Sequence, residues 1–398
     1  MLPRSLPPTT APLRVTDILA AVPALVNGGE REQVRFREEI GRRFGVKHVF
    51  LSSSGKASLV QLLKAMASIR PGKDEVLLPA YTSFSVPSAV VAAGFKVALY
   101  DLDPQTLSPD LPSLERAVTV STLCVVVCHL FGYPADVDAV RAVMRGSGAF
   151  LVDDAAQAMG ARYQGRPVGT RGDAGLFSLG RGKPITAVEG GIAVTDSVEL
   201  AAALTAVPPG PLPWHRPWLI AMKAAALVLL QRPGWYWIPR ALPFLKVGES
   251  FFSPDVPVEG FSGFQASLGR RMLRRLDEIN AARRALVQRL IGKAPAALKS
   301  SFVRPLPGAE PICLRLPILA EHLPVVPSLG IVASYPQSLN QVEPLLPSIS
   351  GRRESCPGAA KIAARLRTLP THAFVTEQDC AAIDSVLDSA ARSAQQES

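Results

Sequence analysis

The chain has 398 residues, 48% of them hydrophobic, enough to bury one large core and a smaller second one, which excludes disorder as its default state. Lys and Arg outnumber Asp and Glu by 43 to 33, a balance that suits a phosphorylated substrate or an anionic membrane surface; no basic helix interleaved with aromatics stands out, so nucleic acid is not an expected partner. The five cysteines, Cys124, Cys128, Cys313, Cys356 and Cys380, show neither CxxC nor zinc spacing, so no metal site is expected and a reducing, cytoplasmic setting is.

The opening stretch, MLPRSLPPTTAPLRV, lacks the continuous apolar core of a secretion signal, and residues 1–43 read as an N-terminal arm. From about Phe44 to Thr195 short apolar runs alternate with helical stretches. The runs are Val49–Leu51, Val76–Pro79, Lys96–Asp101, Leu123–His129 and Ala149–Asp154. Continuous rather than alternating apolar strands belong to a parallel sheet covered on both faces, so residues 44–260 are expected to form a large doubly wound α/β domain.

Within it, residues 207–257 change character, with many prolines, Trp214, Trp218, Trp235 and Trp237, and the apolar run Trp218–Leu230. That run, interrupted by Lys223, is short of the ~20 residues that a membrane span needs. Two readings stand open for 214–240. One is a helix buried in the domain or dimer core; the other is an interfacial helix making peripheral membrane contact, with Trp214, Trp235, Tyr236 and Trp237 beside Arg216, Arg232 and Arg240. From Gly263 the sequence GFQASLGRRMLRRLDEINAARRALVQRLIG has a helical period and a basic face. Residues 261–398 are expected to form a smaller α+β domain, with strand-like ICLRLPIL and GIVASYP and a final helix around Glu377–Arg392.

The residues that carry chemistry gather in Leu151–Asp196. Asp153 and Asp154 end an expected strand and precede a small-residue helix start, AAQA, where ligands collect in open α/β sheets. A carboxylate there can hold a heteroaromatic ring nitrogen protonated. Lys183 follows in a Gly-rich loop with Gly180, Gly182, Gly190 and Gly191, five positions after Ser178. Taken alone, such a lysine is more often a solvated loop residue, and the acidic pair serves equally as a helix N-cap and its neighbour.

The segments VDDAAQAMGA, GDAGLFSLGRGK and ITAVEGG resemble signature blocks of the DegT/DnrJ/StrS family of pyridoxal-phosphate-dependent sugar aminotransferases. Phe50–Leu59, Leu77–Asp103, Cys128–Val140 and Cys356–Asp379 are similar to further blocks in the same order. The resemblance implies a fold-type I PLP-transferase, a large doubly wound, mostly parallel sheet domain with a smaller C-terminal α+β domain. It makes Lys183 the lysine that carries pyridoxal 5'-phosphate and Asp154 the partner of the pyridine nitrogen. Gln157 would lie beside the ring near its phenolic oxygen, and Ser54, Gly55, Lys56 and Ser178 would cradle the phosphate, since amides at a helix N-terminus favour an anion. It further implies a homodimer that moves an amino group from an amino acid, glutamate first among them, to a nucleotide-linked keto sugar for envelope-glycan or secondary-metabolite synthesis.

The sequence departs from the family's pattern in places. Lys56 stands where a threonine is usual. The aromatic that follows the threonine of the PxxT block and stacks on the ring is absent, because Ser83 follows Thr82, leaving Tyr81 or Phe84 as substitutes. VEGFSGFQASLG lacks the asparagine-tyrosine-arginine stretch that would reach the partner's phosphate. His129 and His372 read first as structural residues, and Arg181 equally as an anion contact and as a solvated side chain. Two other functions remain open: a sugar dehydratase of the same fold, in which a histidine replaces the lysine, and a degenerate homologue serving as regulator or scaffold. Lys183 stands against the first.

Overall fold

The computed structural model describes residues 4–27, 29–241, 251–350 and 355–396, so the first three residues of the arm and 242–250 of the apolar insertion lie outside the described residues. After an extended segment, two short helices, α1 (Val15–Leu19) and α2 (Pro23–Val26), lead into α3 (Gly29–Phe44). Strands and helices then alternate through β1 (His48–Ser52), α4 (Gly55–Ile69), β2 (Glu75–Pro79), α5 (Ser85–Ala92), β3 (Lys96–Tyr100), α6 (Leu111–Ala117), β4 (Thr122–Cys128), α7 (Val137–Val143) and β5 (Phe150–Asp154). The pair β6 (Arg162–Tyr163) and β7 (Arg166–Pro167) precedes β8 (Ala174–Ser178), β9 (Gly191–Thr195), α8 (Val198–Ala206), α9 (Arg216–Leu230) and α10 (Trp237–Ala241). The chain continues through α11 (Gly263–Arg274), α12 (Leu276–Lys293), α13 (Ala296–Lys299), β10 (Ala309–Glu310), β11 (Arg315–Leu319), α14 (Pro357–Arg365), β12 (Leu366–Pro370) and α15 (Glu377–Gln396).

The main sheet has the order β1-β9-β8-β5-β4-β2-β3. Strands β8, β5, β4, β2 and β3 run parallel, and β9 is antiparallel to both of its neighbours. All five apolar runs from the sequence form strands of this sheet. Every residue of β4 and β8 is buried, as strands covered on both faces must be. The C-terminal ends of β4, β5 and β8 therefore open on one edge, beside the N-terminus of α4.

Three expectations need correction. Residues 155–158, read as a helix start, form no helix; 156–160 are turns, and Gly160 takes φ +92°, where an added Cβ would stand 2.7 Å from Asn280 Nδ2. The basic helical stretch after Gly263 is two helices, because Arg275 leaves helical geometry at φ −100°, ψ 3°. GIVASYP forms no strand; Ile331 and Val332 make isolated bridges to Val326 and Thr368 while β11 pairs with β12.

The two readings of the apolar run divide α9 lengthwise. Ile220, Ala224 and Val228, at successive i, i+4 positions, are buried, and α9 packs against α1 and α11. Trp218, Met222 and Leu229 face outward at 48%, 64% and 58% exposure. Among the described residues no helix is long and apolar enough to cross a membrane. The arm is tied down by its backbone: Ser5 N donates to Pro233 O (2.9 Å), Leu6 N to Ser328 O (2.8 Å), and Arg283 Nη2 to Thr10 O (2.9 Å).

Candidate active site

The switch from β1 to α4 supplies the first wall. Ser54, extended at φ −160°, caps α4 by accepting the Ala57 N–H through Oγ at 3.1 Å, which leaves the first amides of the helix pointing out of its end. Gly55 lets β8 approach this end, since a Cβ there would lie 3.1 Å from Ser178 Cβ and 3.2 Å from Ser178 Oγ. The buried Ser178 hydroxyl accepts from Gly180 N at 3.4 Å and opens the loop that carries Lys183. Free amides and hydroxyls thus meet in one place with lysines nearby, an anion-binding concavity.

A cavity of about 180 Å³ lies between these walls and gathers Ser54, Gly55, Lys56, Asp154, Gln157, Ser178 and Lys183. Asp154, buried at 6% exposure, is aimed by two contacts: Oδ1 accepts from Ala156 N at 2.9 Å, and Cys128 Sγ donates to Oδ2 at 3.5 Å. Burial pushes its pKa up, with the Ala156 amide and the nearby Lys183 charge pulling against it. Burial lowers the pKa of Lys183, opposed by Asp154 and reinforced by Arg315, so deprotonation to the nucleophilic amine is eased. Gln157 is held from both ends: its Oε1 accepts from Phe131 N at 3.0 Å and its Nε2 donates to Tyr335 Oη at 3.2 Å.

Tyr81 and Phe84 do not line this cavity. Both are buried against Tyr335, at ring-centroid distances of 5.5 and 6.3 Å, and Ser83 takes the position on the wall. Asp153 turns to the other side of β5, where His129 Nε2–H donates to its Oδ1 at 2.5 Å and Arg171 N donates to Oδ2 at 2.9 Å. His129 Nδ1 accepts from Ala135 N at 2.8 Å, which sets the proton on Nε2 and gives the ring a structural task, although its face borders the cavity. Sequence reasoning missed Thr82 and Cys128 as wall residues. Cys128 pairs in register with Asp154 at the carboxyl end of adjacent parallel strands, a signal that was present in the chain.

The cavity opens, past Lys56, Ser83, Ser85, Gln157 and Lys183, into an outer chamber of about 750 Å³. Its walls come from the arm (Pro7–Thr10), from α9 (Lys223, Ala226, Leu227, Leu230), from Arg181, and from Arg315, Ser334 and Tyr335. His372 lies behind the arm, with Nε2–H donating to Pro7 O at 2.7 Å. Among the described residues no cluster of His, Cys, Asp and Glu is placed to hold a metal ion, and all five cysteines are buried and outside any disulfide.

Residues 14–208 match the model of the DegT/DnrJ/EryC1/StrS aminotransferase family. The chain is 35% identical over 264 residues to an L-glutamine:2-deoxy-scyllo-inosose aminotransferase of Streptoalloteichus tenebrarius, covering 66% of this chain and 57% of that protein. It is 31% identical over 254 residues to a GDP-perosamine synthase of Caulobacter vibrioides, covering 64% of this chain and 59% of that protein. The chain thus spans a little over half the length of these two curated relatives. The crystal structure of the aminotransferase TlmJ from Streptoalloteichus hindustanus superposes over 98% of this chain and 99% of that one, with a TM-score of 0.75 at 23% identity, a likeness of fold. The apolar strand runs, the lysine and aspartate on one sheet edge, and these matches lead to one assignment: residues 14–208 belong to the DegT/DnrJ/EryC1/StrS aminotransferase family.

Proposed function

We propose that this protein is a pyridoxal-phosphate-dependent aminotransferase that moves nitrogen from an amino acid to a keto sugar. The observation that carries the reading is the convergence of the Lys183 amine and the buried Asp154 carboxylate on one cavity whose far end is an anion cradle. The residues fit the group. The helix N-terminus, Gly55 and Ser178 suit its phosphate, Asp154 its ring nitrogen, and Gln157 its phenolic oxygen, while Lys56 adds a cation at the cradle. When bound, the cofactor supplies a reactive carbonyl carbon and an electron sink.

The protein's own part is to hold and move protons. Lys183, depressed by burial, takes and returns a proton at the carbon that bears the amine, and Asp154 keeps the ring nitrogen charged. The outer chamber admits each substrate in turn past Lys183. Glutamate is the donor expected from the resemblance, and the Streptoalloteichus relative is named for L-glutamine. A nucleotide-linked acceptor, a homodimer and a cytoplasmic setting complete the proposal, with the outward row Trp218, Met222 and Leu229 beside the chamber offering a surface for the second copy or for a membrane.

Borohydride reduction of the protein loaded with pyridoxal phosphate should fix the label on the peptide that holds Lys183, and Lys183→Ala should lose both the label and turnover. Label on another lysine, or a Lys183→Ala protein that still transaminates, would overturn the assignment.

A further inference from the structure

Arg315 is a guanidinium placed in the outer chamber with only neutral partners. It opens β11, opposite Pro370 of β12, and its Nη1 donates to Ser334 Oγ at 2.7 Å and to Thr368 Oγ1 at 3.3 Å. Those hydroxyls lie 3.0 Å apart, and the fully buried Thr368 donates onward to Val332 O at 3.3 Å, so one side of the guanidinium is held rigidly. Among the described residues no carboxylate pairs with it, and Nε and Nη2, the donors of its lateral fork, carry no protein partner. Burial lowers its pKa, while the residue stays partly open to the chamber, where a ligand can reach it. Such a group is costly unless an anion meets it.

We propose that Arg315 receives the α-carboxylate of the amino donor and thereby selects amino acids for the first half of the reaction; the inference rests on the aminotransfer reading. The reasoning concerns reach. A donor poised for Lys183 carries its carboxylate on the very carbon whose proton Lys183 removes, so the receptor must share the chamber wall with Lys183, as Arg315 does. The phosphate of a nucleotide sugar lies several bonds from the carbon to be aminated and calls for a cation farther out. A planar fork with two free N–H groups matches a carboxylate in a way that a lysine cannot. Tyr335, hydrogen-bonded to Gln157 and stacked on Phe131 at 6.0 Å, gives this corner a fixed wall.

The test compares L-glutamate and L-glutamine with their α-carboxamides in single-turnover conversion of the bound cofactor. Wild type should prefer the free acids, and Arg315→Gln should cut kcat/KM for them by about 100-fold while leaving the amides within about threefold. Arg315→Lys, which keeps charge but loses the fork, should fall between, and both variants should retain cofactor and melting temperature. Glutarate, which has no nitrogen to give, provides a readout apart from turnover: by calorimetry it should bind wild type and not Arg315→Gln. An active wild type whose Arg315→Gln variant keeps the preference for acids overturns the assignment. So does a variant that keeps that preference and instead loses affinity for UDP, since the anion would then be the acceptor's phosphate. A loaded wild type that converts no amino acid overturns aminotransfer itself.

Discussion

The folded state should be sensitive to acid through His372, whose ring is buried behind the arm. The ring is 2% exposed; its Nε2–H donates to Pro7 O at 2.7 Å and its Nδ1 accepts from Phe374 N at 3.3 Å, a geometry that only the neutral ring satisfies. Burial pushes its pKa down to about 4, with Arg283 and Arg315 adding to the fall and the Pro7 carbonyl and Asp379 opposing it. In the unfolded chain the ring titrates near its ordinary value of about 6.5, so on acidification the unfolded state takes up the proton first. The stability linked to this ring is fully present above about pH 6.5 and drains away as pH falls toward 4. Between pH 7.5 and 5 the loss works out at about 2 kcal/mol for this one group. Urea unfolding of wild type and His372→Gln at both pH values isolates it, because the other titrating groups are common to the two. Wild type should lose about 2 kcal/mol more than the variant over the interval. Parallel losses would refute the reasoning and show that the folded ring titrates near its ordinary value.

Three further outcomes follow from the same structure. Ile220→Ala, on the buried side of α9, should cost about 2–4 kcal/mol, whereas Leu229→Ala, on the outward side, should stay within about 0.5 kcal/mol; matching thermal shifts would mean that α9 is not divided this way. Asp154→Asn should keep bound cofactor yet slow turnover by about two orders of magnitude, near 2.7 kcal/mol of barrier, and an unchanged rate would move the ring-nitrogen role elsewhere. Gly55→Val should weaken cofactor binding by about tenfold or more in a fluorescence titration, because even its Cβ would press on Ser178 at 3.1 Å; undiminished affinity would remove Gly55 from the cradle.

The core strands were legible because each is a short continuous apolar run, and a strand covered on both faces needs nothing else to declare itself. Lys183 and Asp154 were legible too, by position: a carboxylate at a strand's end and a lysine in a glycine-rich loop, within blocks whose order matches a family. What local pattern does not carry is the direction of a side chain or the partner of a face. Tyr81 and Phe84 sit beside the right threonine, yet the packing around Tyr335 turns both away from the cavity. The apolar run of α9 looked alike on every side, and only α1 and α11 decide that Ile220 is core while Met222 is surface. Arg315 passed unnoticed among the many arginines because nothing near it in the chain is special. Its free fork faces the same chamber as Lys183, 132 positions earlier, only because β11 and β12 bring it there, and contacts between residues so far apart in sequence are created by the fold alone.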